Sequence, residues 1–561
     1  MISQRTSNNY KTLKNILSKI RQLDFTSETS YLIIYAFVYK YCSDMLKDHF
    51  MNLIQDKEIT LDEAYNDPKY QELFRDDAFK MFGYYIPDSD LFLDELINNK
   101  YSDGFFIHEF INAFSKNVEF GENRGHEKYF NFIFNSIRDE INLNKFEFEG
   151  ENHLIVKDLV YTISKLSIFE NEFPFERVFD RVCDSRLIRV DRDPEYITDL
   201  LSAIIITKKN NLNDVYNPFL NDASSLISLS NRYNNGIGNL YGKGSDRITY
   251  CAGIAKFLFE YFDLERVFLE FGFPFESVDM EGEFDAIISR IPLMTPKRIK
   301  RWNSVQSKEI TKRNTKKQLV NSLSKQLNLP LESFENDMEL KNTVEGLVNK
   351  MDDKPNMPSY FEGEYEVLKN SEYLFLIDLL DSLRDNGIMA VSLPQSFLFK
   401  NTLETLRKYL TVGKNYIDCI IALPDELSRR RSSDVIVVFR KDKPTDDVVF
   451  IDLSKEYSTK MGGYPVSGLF KRNLVLSEKT TYKVVEAYDR RQTIDRFSNV
   501  VRIDDIARNE FNLSVSRYVD TFEGEFIRLE DLKDQKEEIT SNIKKLNEKI
   551  DRMMDELNIR L

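Results

Sequence analysis

The sequence predicts an α/β protein with an N-terminal all-α domain, a doubly wound parallel sheet and a C-terminal coiled-coil helix. Three observations lead to this prediction. Apolar residues recur at helical spacing over residues 1–188, short apolar runs alternate with helical segments over 189–500, and a heptad seam occupies 528–558 within the last segment, 501–561. A chain of 561 residues exceeds one ordinary core, so two or three domains are expected.

The first domain is predicted to be helical around an aromatic core. Segments 31–45 and 105–118 place apolar residues, many of them Phe and Tyr, three and four positions apart. This spacing brings them to one face of a helix. Few β-branched runs interrupt the pattern, which disfavours strands in this part of the chain.

The second domain alternates strands and helices, as is typical of a largely parallel sheet with helices on both faces. Strands are predicted at 214–216, 239–241, 267–271, 284–288, 388–393, 417–423, 435–440 and 448–453. Helical patterns fall at 194–206, behind Asp193 and a proline, and at 223–233, 246–262, 372–384 and 403–410. The polar and basic stretch of about 295–360 is predicted to be an insertion.

The C-terminal segment has the clearest periodicity. Apolar residues recur at alternating steps of three and four, with Lys536 in the one polar slot, at Leu529, Leu532, Ile539, Ile543, Leu546, Ile550, Met553 and Leu557. A lone helix with this seam exposes an apolar stripe, so it needs a second helix. We expect these residues to bind a partner protein, and packing within the same chain is the alternative.

Charge and residue usage exclude several classes of protein. The formal net charge of -15 disfavours indiscriminate nucleic-acid binding. The four cysteines are far apart and the four histidines form no ligand pair, so neither a metal site nor a disulfide framework is expected. No apolar run has the length of a membrane span and the N-terminus lacks a signal-peptide core, so we expect a cytoplasmic protein without membrane contact.

Three segments resemble the modification subunits of type I restriction-modification systems, which are N6-adenine DNA methyltransferases. The segment 285–293 matches that family's apolar strand and the Asn-Pro-Pro-Phe or Tyr motif behind it. The segment 373–399 matches its helix, turn and strand with a Leu-Pro loop, and it continues into Ile-Asp-Cys-Ile-Ile-Ala-Leu-Pro at 417–424. Asn-Leu-Ser-Val-Ser-Arg-Tyr-Val at 512–519, followed by acids and the heptad helix, resembles the family's C-terminal segment. The resemblance implies a Rossmann-like methyltransferase sheet that uses S-adenosylmethionine.

The turn behind the first sheet strand departs from the family's pattern. The family has Asp-Pro, a cysteine and then Gly-Ser-Gly. This chain has Asn217 and Pro218, followed by Asn221, Asp222 and Ala223 in place of the glycine turn. Because glycines there allow backbone to approach the cofactor closely, these side chains would occupy the space it needs.

Two further motifs are degenerate. The acidic residue that should accept the ribose hydroxyls is matched by Gly244, and Asp246, two residues on, is an imperfect substitute. The catalytic motif is matched by Arg290, Ile291, Pro292 and Leu293. Arginine has only donors and leucine has no ring, so neither could hold a flipped adenine. We therefore expect no intact catalytic residue and no bound cofactor, with S-adenosylmethionine required only if the chain is active.

Arg290 itself has two interpretations. It pairs with a carboxylate and fills an emptied pocket, or it contacts a DNA phosphate. We favour the first, because an empty apolar pocket is costly.

A basic stretch follows the degenerate motif. Between residues 297 and 325, Glu309 is the only acid. Its position behind the base-binding motif places it at the face where DNA would lie, and the candidate phosphate contacts are Lys297, Arg298, Lys300, Arg301, Lys312, Arg313, Lys316 and Lys317. A solvated loop that balances nearby acids is an equal alternative.

Three hypotheses follow from the sequence. The leading one is a non-catalytic pseudo-methyltransferase in a type I restriction-modification or related phage-defence complex. It would contact DNA and would pair with a DNA-specificity subunit, an intact methyltransferase subunit, or both. The second is an active adenine-N6 DNA methyltransferase with divergent motifs, and the third is a structural or regulatory protein-interaction subunit without DNA contact.

Overall fold

The computed structural model describes residues 7–23, 27–99, 106–121, 126–140, 151–184, 188, 190–233, 236–260, 264–272, 283–292, 373, 375–424, 434–456, 458–460, 473–521 and 529–556. The predicted insertion, and with it the basic stretch, lies outside these residues. Among the described helices, none is both long enough and apolar enough to cross a membrane.

The first part of the chain is helical, as the sequence predicts. Its helices are α1 (Asn8–Ile20), α2 (Ser27–Ile54), α3 (Leu61–Asn66), α4 (Pro68–Met81), α5 (Leu93–Asn99), α6 (Phe106–Asn117), α7 (His126–Glu140), α8 (Glu151–Ser164) and α9 (Phe175–Cys183). A two-residue ladder joins β1 (Tyr84–Tyr85) to β2 (Glu119–Phe120). The core is aromatic: Tyr35 packs edge-on against Phe110 with ring centroids 5.1 Å apart, and the rings of Phe50 and Phe74 stack at 4.3 Å. Such pairs add directional preference to the burial of large side chains.

A sheet of nine strands follows within the described residues. In chain order the strands are β3 (Asp214–Asn217), β4 (Asn239–Gly244), β5 (Val267–Phe271), β6 (Phe284–Arg290), β7 (Leu383–Pro394), β8 (Ile417–Ala422), β9 (Asp434–Arg440), β10 (Asp447–Asp452) and β13 (Ser498–Arg502). Their spatial order is β13-β10-β8-β9-β7-β6-β3-β4-β5. A separate two-stranded ladder is formed by β11 (Ser458–Lys460) and β12 (Asn473–Val475).

The sheet is mostly parallel. Strands β7, β6, β3, β4 and β5 run in one direction, so their carboxyl ends meet at one edge. Strand β9 is antiparallel to both β7 and β8, and β13 is antiparallel to β10. In such sheets the carboxyl edge is where ligands bind, so it is the edge that matters for function.

Helices cover both faces of the sheet, which matches the predicted doubly wound class. The helices beyond α9 are α10 (Glu195–Lys208), α11 (Ser224–Arg232), α12 (Arg247–Glu260), α13 (Phe375–Asp381), α14 (Glu404–Lys408), α15 (Glu478–Asp489), α16 (Ile503–Arg508) and α17 (Leu529–Glu556). One apolar core joins α10–α12, α15 and the N-terminal helices to one face, through residues such as Ile288 and Ala390. The other joins α13 and α14 to the opposite face, through Ile287 and Val391.

Strand β7 begins earlier than the sequence predicts. Leu383 and Arg384 were expected at the end of a helix, but they belong to the strand. Leu383 is fully buried and pairs with Phe284. The guanidinium of Arg384 lies 2.7 Å from an Asp214 carboxylate oxygen and 2.6 Å from one of Asp285. These contacts with distant strands outweigh the local helical pattern.

Helix α7 of the N-terminal region covers the free edge of the sheet at β5. The hydroxyl of Tyr129 donates to the carbonyl of Val267 and accepts the backbone N–H of Leu269. An uncovered edge strand invites pairing with other chains. Here the N-terminal helices both cover that edge and fix their own position relative to the sheet.

Candidate functional site

The turn after β3 keeps the backbone shape of a glycine turn without its glycines. Asn221 and Ala223 have φ angles of 46° and 64°, in the left-handed region that glycine adopts most easily. Ala223 is fully buried and immediately precedes α11. Only 3.2 Å would separate a Cβ at Gly253 from the carbonyl oxygen of Asn221, so α12 packs directly beneath the turn. The turn is therefore compact and tightly supported.

Asp222 points away from solvent into a buried ion network. Its carboxylate accepts hydrogen bonds from Arg192 Nε at 3.0 Å, from the N–H of Asp193 at 3.1 Å and from Ser224 Oγ at 2.7 Å. The ammonium of Lys256 lies 3.6 Å away. Burial alone would raise the pKa of Asp222, but Lys256 and Arg192 outweigh it and lower the pKa to about 2. Asp222 is thus charged and fully engaged inside the protein.

Asn221 ties the turn to two other segments. Its side-chain amide donates to Asp193 Oδ1 at 2.7 Å and to the carbonyl of Arg290 at 3.1 Å. Asp193 also accepts from Ser225 Oγ at 2.7 Å and is buried. Burial, and then repulsion from Asp222, raise the pKa of Asp193 to about 7, and Arg290 opposes this rise.

Arg290, at the carboxyl end of β6, is buried among carboxylates. Its Nε lies 3.4 Å from Asp434 Oδ2, and its Nη1 lies 3.3 Å from Asp191 Oδ1 and 3.9 Å from Asp193 Oδ1. Nη1 also donates to the carbonyl of Arg192 at 3.1 Å. Only 4% of the side chain is exposed. The guanidinium therefore joins the start of β9 to the segment before α10, across the edge where a ligand would enter.

The neighbouring strand ends carry polar groups that face inward. Asn217 is fully buried, and its Oδ1 accepts from the N–H of Phe219 at 3.1 Å and from Ser289 Oγ at 2.8 Å. Its Nδ2 has no hydrogen-bond partner in the described part of the chain, and neither does the buried hydroxyl of Ser392 on β7. Pro218 is buried beside Asn217.

Gly244 and Asp246 lie where β4 passes into α12. A Cβ at Gly244 would come within 2.5 Å of the Tyr250 ring, so no side chain fits there without movement. Asp246 is exposed, and its Oδ1 accepts the backbone N–H of Thr249 at 3.0 Å. Its carboxylate therefore stabilises the first turn of α12.

A small cavity remains between these elements. It measures about 140 Å³ and is lined by Asp191, Phe219, Leu220, Asn221, Gly244, Ser245, Asp246, Thr249 and Pro292. Sites that enclose a small molecule or cofactor usually measure about 300–1,000 Å³. The space bounded by these side chains is thus well below that range.

Comparison with known proteins gives the family to which this architecture is similar. The N-6 DNA Methylase profile matches residues 345–525. The Type I restriction enzyme MpnII methylase subunit of Mycoplasma pneumoniae is 22% identical over 97% of this chain and 93% of its own. The crystal structure of a type I restriction-modification methyltransferase subunit from Streptococcus thermophilus aligns with a TM-score of 0.65 at 17% identity, over 92% of this chain and 99% of that one.

The resemblance to type I modification subunits is confirmed. A chain from a study of complex assembly in the type I system also aligns, with a TM-score of 0.50 and 11% identity, over 96% of this chain and 97% of its own. The mixed α/β fold with a helical N-terminal region is confirmed as well.

In this modification-subunit-like chain, the structure brings the first two degenerate motifs and Arg290 together at one edge. Ile291 and Pro292 follow Arg290 and are buried. Leu293 and all eight candidate DNA contacts lie outside the described residues. In α17 the seam faces solvent, with exposures of 59% for Ile539, 55% for Ile543, 62% for Leu546 and 47% for Ile550. Nothing is described of the side chains of Leu529, Leu532 and Met553, and Leu557 lies beyond the described helix.

Sequence reasoning missed the segment 191–193 and Asp434 as parts of this site. Asp193 was taken only as a start signal for the following helix. In the structure α10 begins at Glu195, the residue before it makes no side-chain cap, and Asp193 instead binds the turn after β3. Three consecutive charged residues before a proline were the available signal. A helix start needs at most one capping residue, so the additional charged residues indicated a further role.

Within the described residues no group of His, Cys, Asp and Glu side chains is arranged to hold a metal ion. The four cysteines are buried and unpaired.

Proposed function

We propose that this chain is a non-catalytic, modification-subunit-like component of a type I restriction-modification or related phage-defence complex. The observation that carries the proposal is the buried guanidinium of Arg290. It stands where the resemblance places the asparagine that holds the target amine, and it contacts Asp191, Asp193 and Asp434. A guanidinium has only hydrogen-bond donors, and this one is already paired, so it cannot accept a hydrogen bond from an adenine amine.

The cofactor side of the site supports the same proposal. Asn221 and Asp222 belong to the turn that replaces the family's Gly-Ser-Gly, and both make hydrogen bonds with the segment before α10. The cavity of about 140 Å³ is small for a cofactor that carries both a nucleoside and an amino acid. Opening the site would break the network around Asp222, which pairs with the buried Lys256 and the partly buried Arg192.

We propose partner subunits and DNA as the ligands of this chain. The exposed seam of α17 supports binding of another helix, because four consecutive seam residues are 47% or more exposed. The candidate partners are a DNA-specificity subunit and an intact methyltransferase subunit. DNA contact rests on the basic residues at 297–317, which follow the degenerate motif in sequence.

A titration of S-adenosylmethionine into the full chain, monitored by isothermal calorimetry, tests the proposal that the chain is non-catalytic. We expect no binding heat, and no transfer of labelled methyl groups to DNA when a specificity subunit is added. The Mycoplasma pneumoniae methylase subunit, treated identically, serves as the comparison protein. Saturable cofactor binding by this chain would contradict the proposal. Methyl transfer that is lost in Pro292→Ala would establish an active enzyme instead.

A further inference from the structure

A second and larger cavity lies at the opposite edge of the sheet. It measures about 390 Å³, against about 140 Å³ at the carboxyl edge, and falls within the range of small-molecule sites. Its lining comes from the end of α10 and the loop behind it, the starts of β6 and β7, and the end of the antiparallel strand β9. The lining residues are Lys208, Lys209, Asn210, Asn211, Asn213, Asp285, Asn386, Ile388, Arg440 and Asp442.

Several of the charges at this cavity are already paired. Asp285 accepts the backbone N–H groups of Asn213 and Asp214 and binds Arg384 at 2.6 Å. Arg440 binds Asp442 at 2.8 Å. Lys208 binds Asp489 at 2.7 Å. Because these carboxylates and cations are paired, they shape the cavity without leaving a free negative charge beside it.

The remaining cation has no such partner. The ammonium of Lys209 makes no hydrogen bond and no ion pair with any residue that the structure describes, although the side chain is partly buried. Burial lowers the pKa of its ammonium, and Asp285 and Asp442 offset this effect only in part. A partly desolvated ammonium gains most from an anion that enters the cavity with it.

Three asparagines line the same cavity as this ammonium. Asn210, Asn211 and Asn386 are exposed, and their side-chain amides make no hydrogen bond to any residue that the structure describes. An ammonium and three primary amides together offer many N–H donors on several sides of one space. A phosphate group presents three acceptor oxygens in a tetrahedral arrangement, whereas a carboxylate presents two in a plane, so phosphate suits these donors better.

We propose that this amino-edge cavity binds a small phosphate-bearing anion, with Lys209 as its charge partner and Asn210, Asn211 and Asn386 as hydrogen-bond donors. The site lies at the opposite end of the strands from Arg290, so it is independent of the cofactor edge and of the function proposed above. Its distance from that edge also disfavours a backbone phosphate of DNA lying against the degenerate motif.

Titration of the full chain with inorganic phosphate, monitored by isothermal calorimetry, tests this site. We expect saturable binding that weakens by about tenfold or more in Lys209→Gln, because one charge-assisted contact is lost. Asn386→Ala should also weaken binding, and it provides a second variant should Lys209→Gln be misfolded by circular dichroism. Lys479→Gln removes the same charge from an exposed position on α15 and should leave the affinity unchanged.

Three results would overturn the proposal. The first is the absence of phosphate binding, and the second is equal binding by Lys209→Gln and Lys479→Gln. The third is a loss of duplex-DNA affinity in Lys209→Gln without any response to free phosphate, which would assign Lys209 to a nucleic-acid backbone instead.

Discussion

At the scale of single residues, Arg290 holds the carboxyl edge closed. Replacement by leucine keeps only a short apolar side chain and removes the cation that faces the buried Asp193 and Asp434. Breaking a buried pair in this way costs about 3–5 kcal/mol of unfolding free energy near neutral pH. Chemical denaturation of Arg290→Leu beside the wild-type chain measures the loss.

The same variant has a pH dependence whose sign is fixed by Asp193. Its pKa is already raised to about 7 with Arg290 present, and removal of the guanidinium raises it further. A carboxyl whose folded pKa lies above its unfolded value destabilises the fold fully above the folded pKa. This destabilisation decreases progressively as pH falls from the folded pKa towards the unfolded one. The deficit of Arg290→Leu should therefore be smaller at about pH 5.5 than at about pH 7.5.

Arg508→Leu provides the control for this prediction. Arg508 pairs with one carboxylate, Asp505 at 2.8 Å, and 75% of its side chain is exposed. Its replacement should change stability by no more than about 0.5 kcal/mol. Equal losses in the two variants would show that Arg290 does not hold the edge together.

At the scale of elements, the sequence predicted those strands whose own residues form a clear apolar run. Strand β5 has the predicted bounds, Val267–Phe271, since a short apolar run lies between polar neighbours. Strand β13 was missed because Ser498–Arg502 has only two valines, and it becomes a strand by pairing with β10. The bond from Tyr129 to the edge of β5 also escapes prediction, since it spans 138 residues of chain.

The candidate site was predictable to a similar degree. The sequence located Asn221, Asp222, Gly244 and Arg290 at one edge, because parallel strands bring their carboxyl ends together. It could not supply Asp434, which enters the site only because β9 runs antiparallel to β7 and starts at that edge. That direction depends on strand order, which no local pattern encodes.

Helix α17 exposes four large apolar side chains of its seam, at Ile539, Ile543, Leu546 and Ile550. Ile543→Lys should abolish co-purification with a type I specificity subunit from the same genome, because a charge replaces the centre of the seam. Ser541→Lys places the same charge on the outward side of the helix and should retain the partner. Since Ile543 is 55% exposed, its replacement should leave the melting temperature of the isolated chain nearly unchanged.

Melting temperature also separates the two interpretations of the seam. If the seam packs within its own chain, Ile543→Lys should lower the melting temperature, and partner binding should not depend on the seam. A retained partner in Ile543→Lys would likewise contradict the partner-binding interpretation.

At the scale of the whole molecule, the acidic net charge opposes DNA contact, whereas one segment of the sequence is strongly basic. The net charge of -15 repels phosphate at long range, and salt screens that repulsion beyond about 10 Å. Ten basic residues between 297 and 325 contrast with one acid, so the proposed DNA contact would be local to this segment. Changing Lys312, Arg313, Lys316 and Lys317 to alanine should weaken duplex binding and flatten its salt dependence by up to about 3–4 in the log–log slope, since each phosphate contact contributes close to one.

Anisotropy titrations over a range of salt concentrations measure both the affinity and the slope. Alanine at Lys11, Lys69, Lys80 and Lys479, four exposed positions elsewhere, changes net charge equally and should leave the slope intact. Equal slopes for the two quadruple variants would mean that only global charge acts, and the segment would then be a solvated loop.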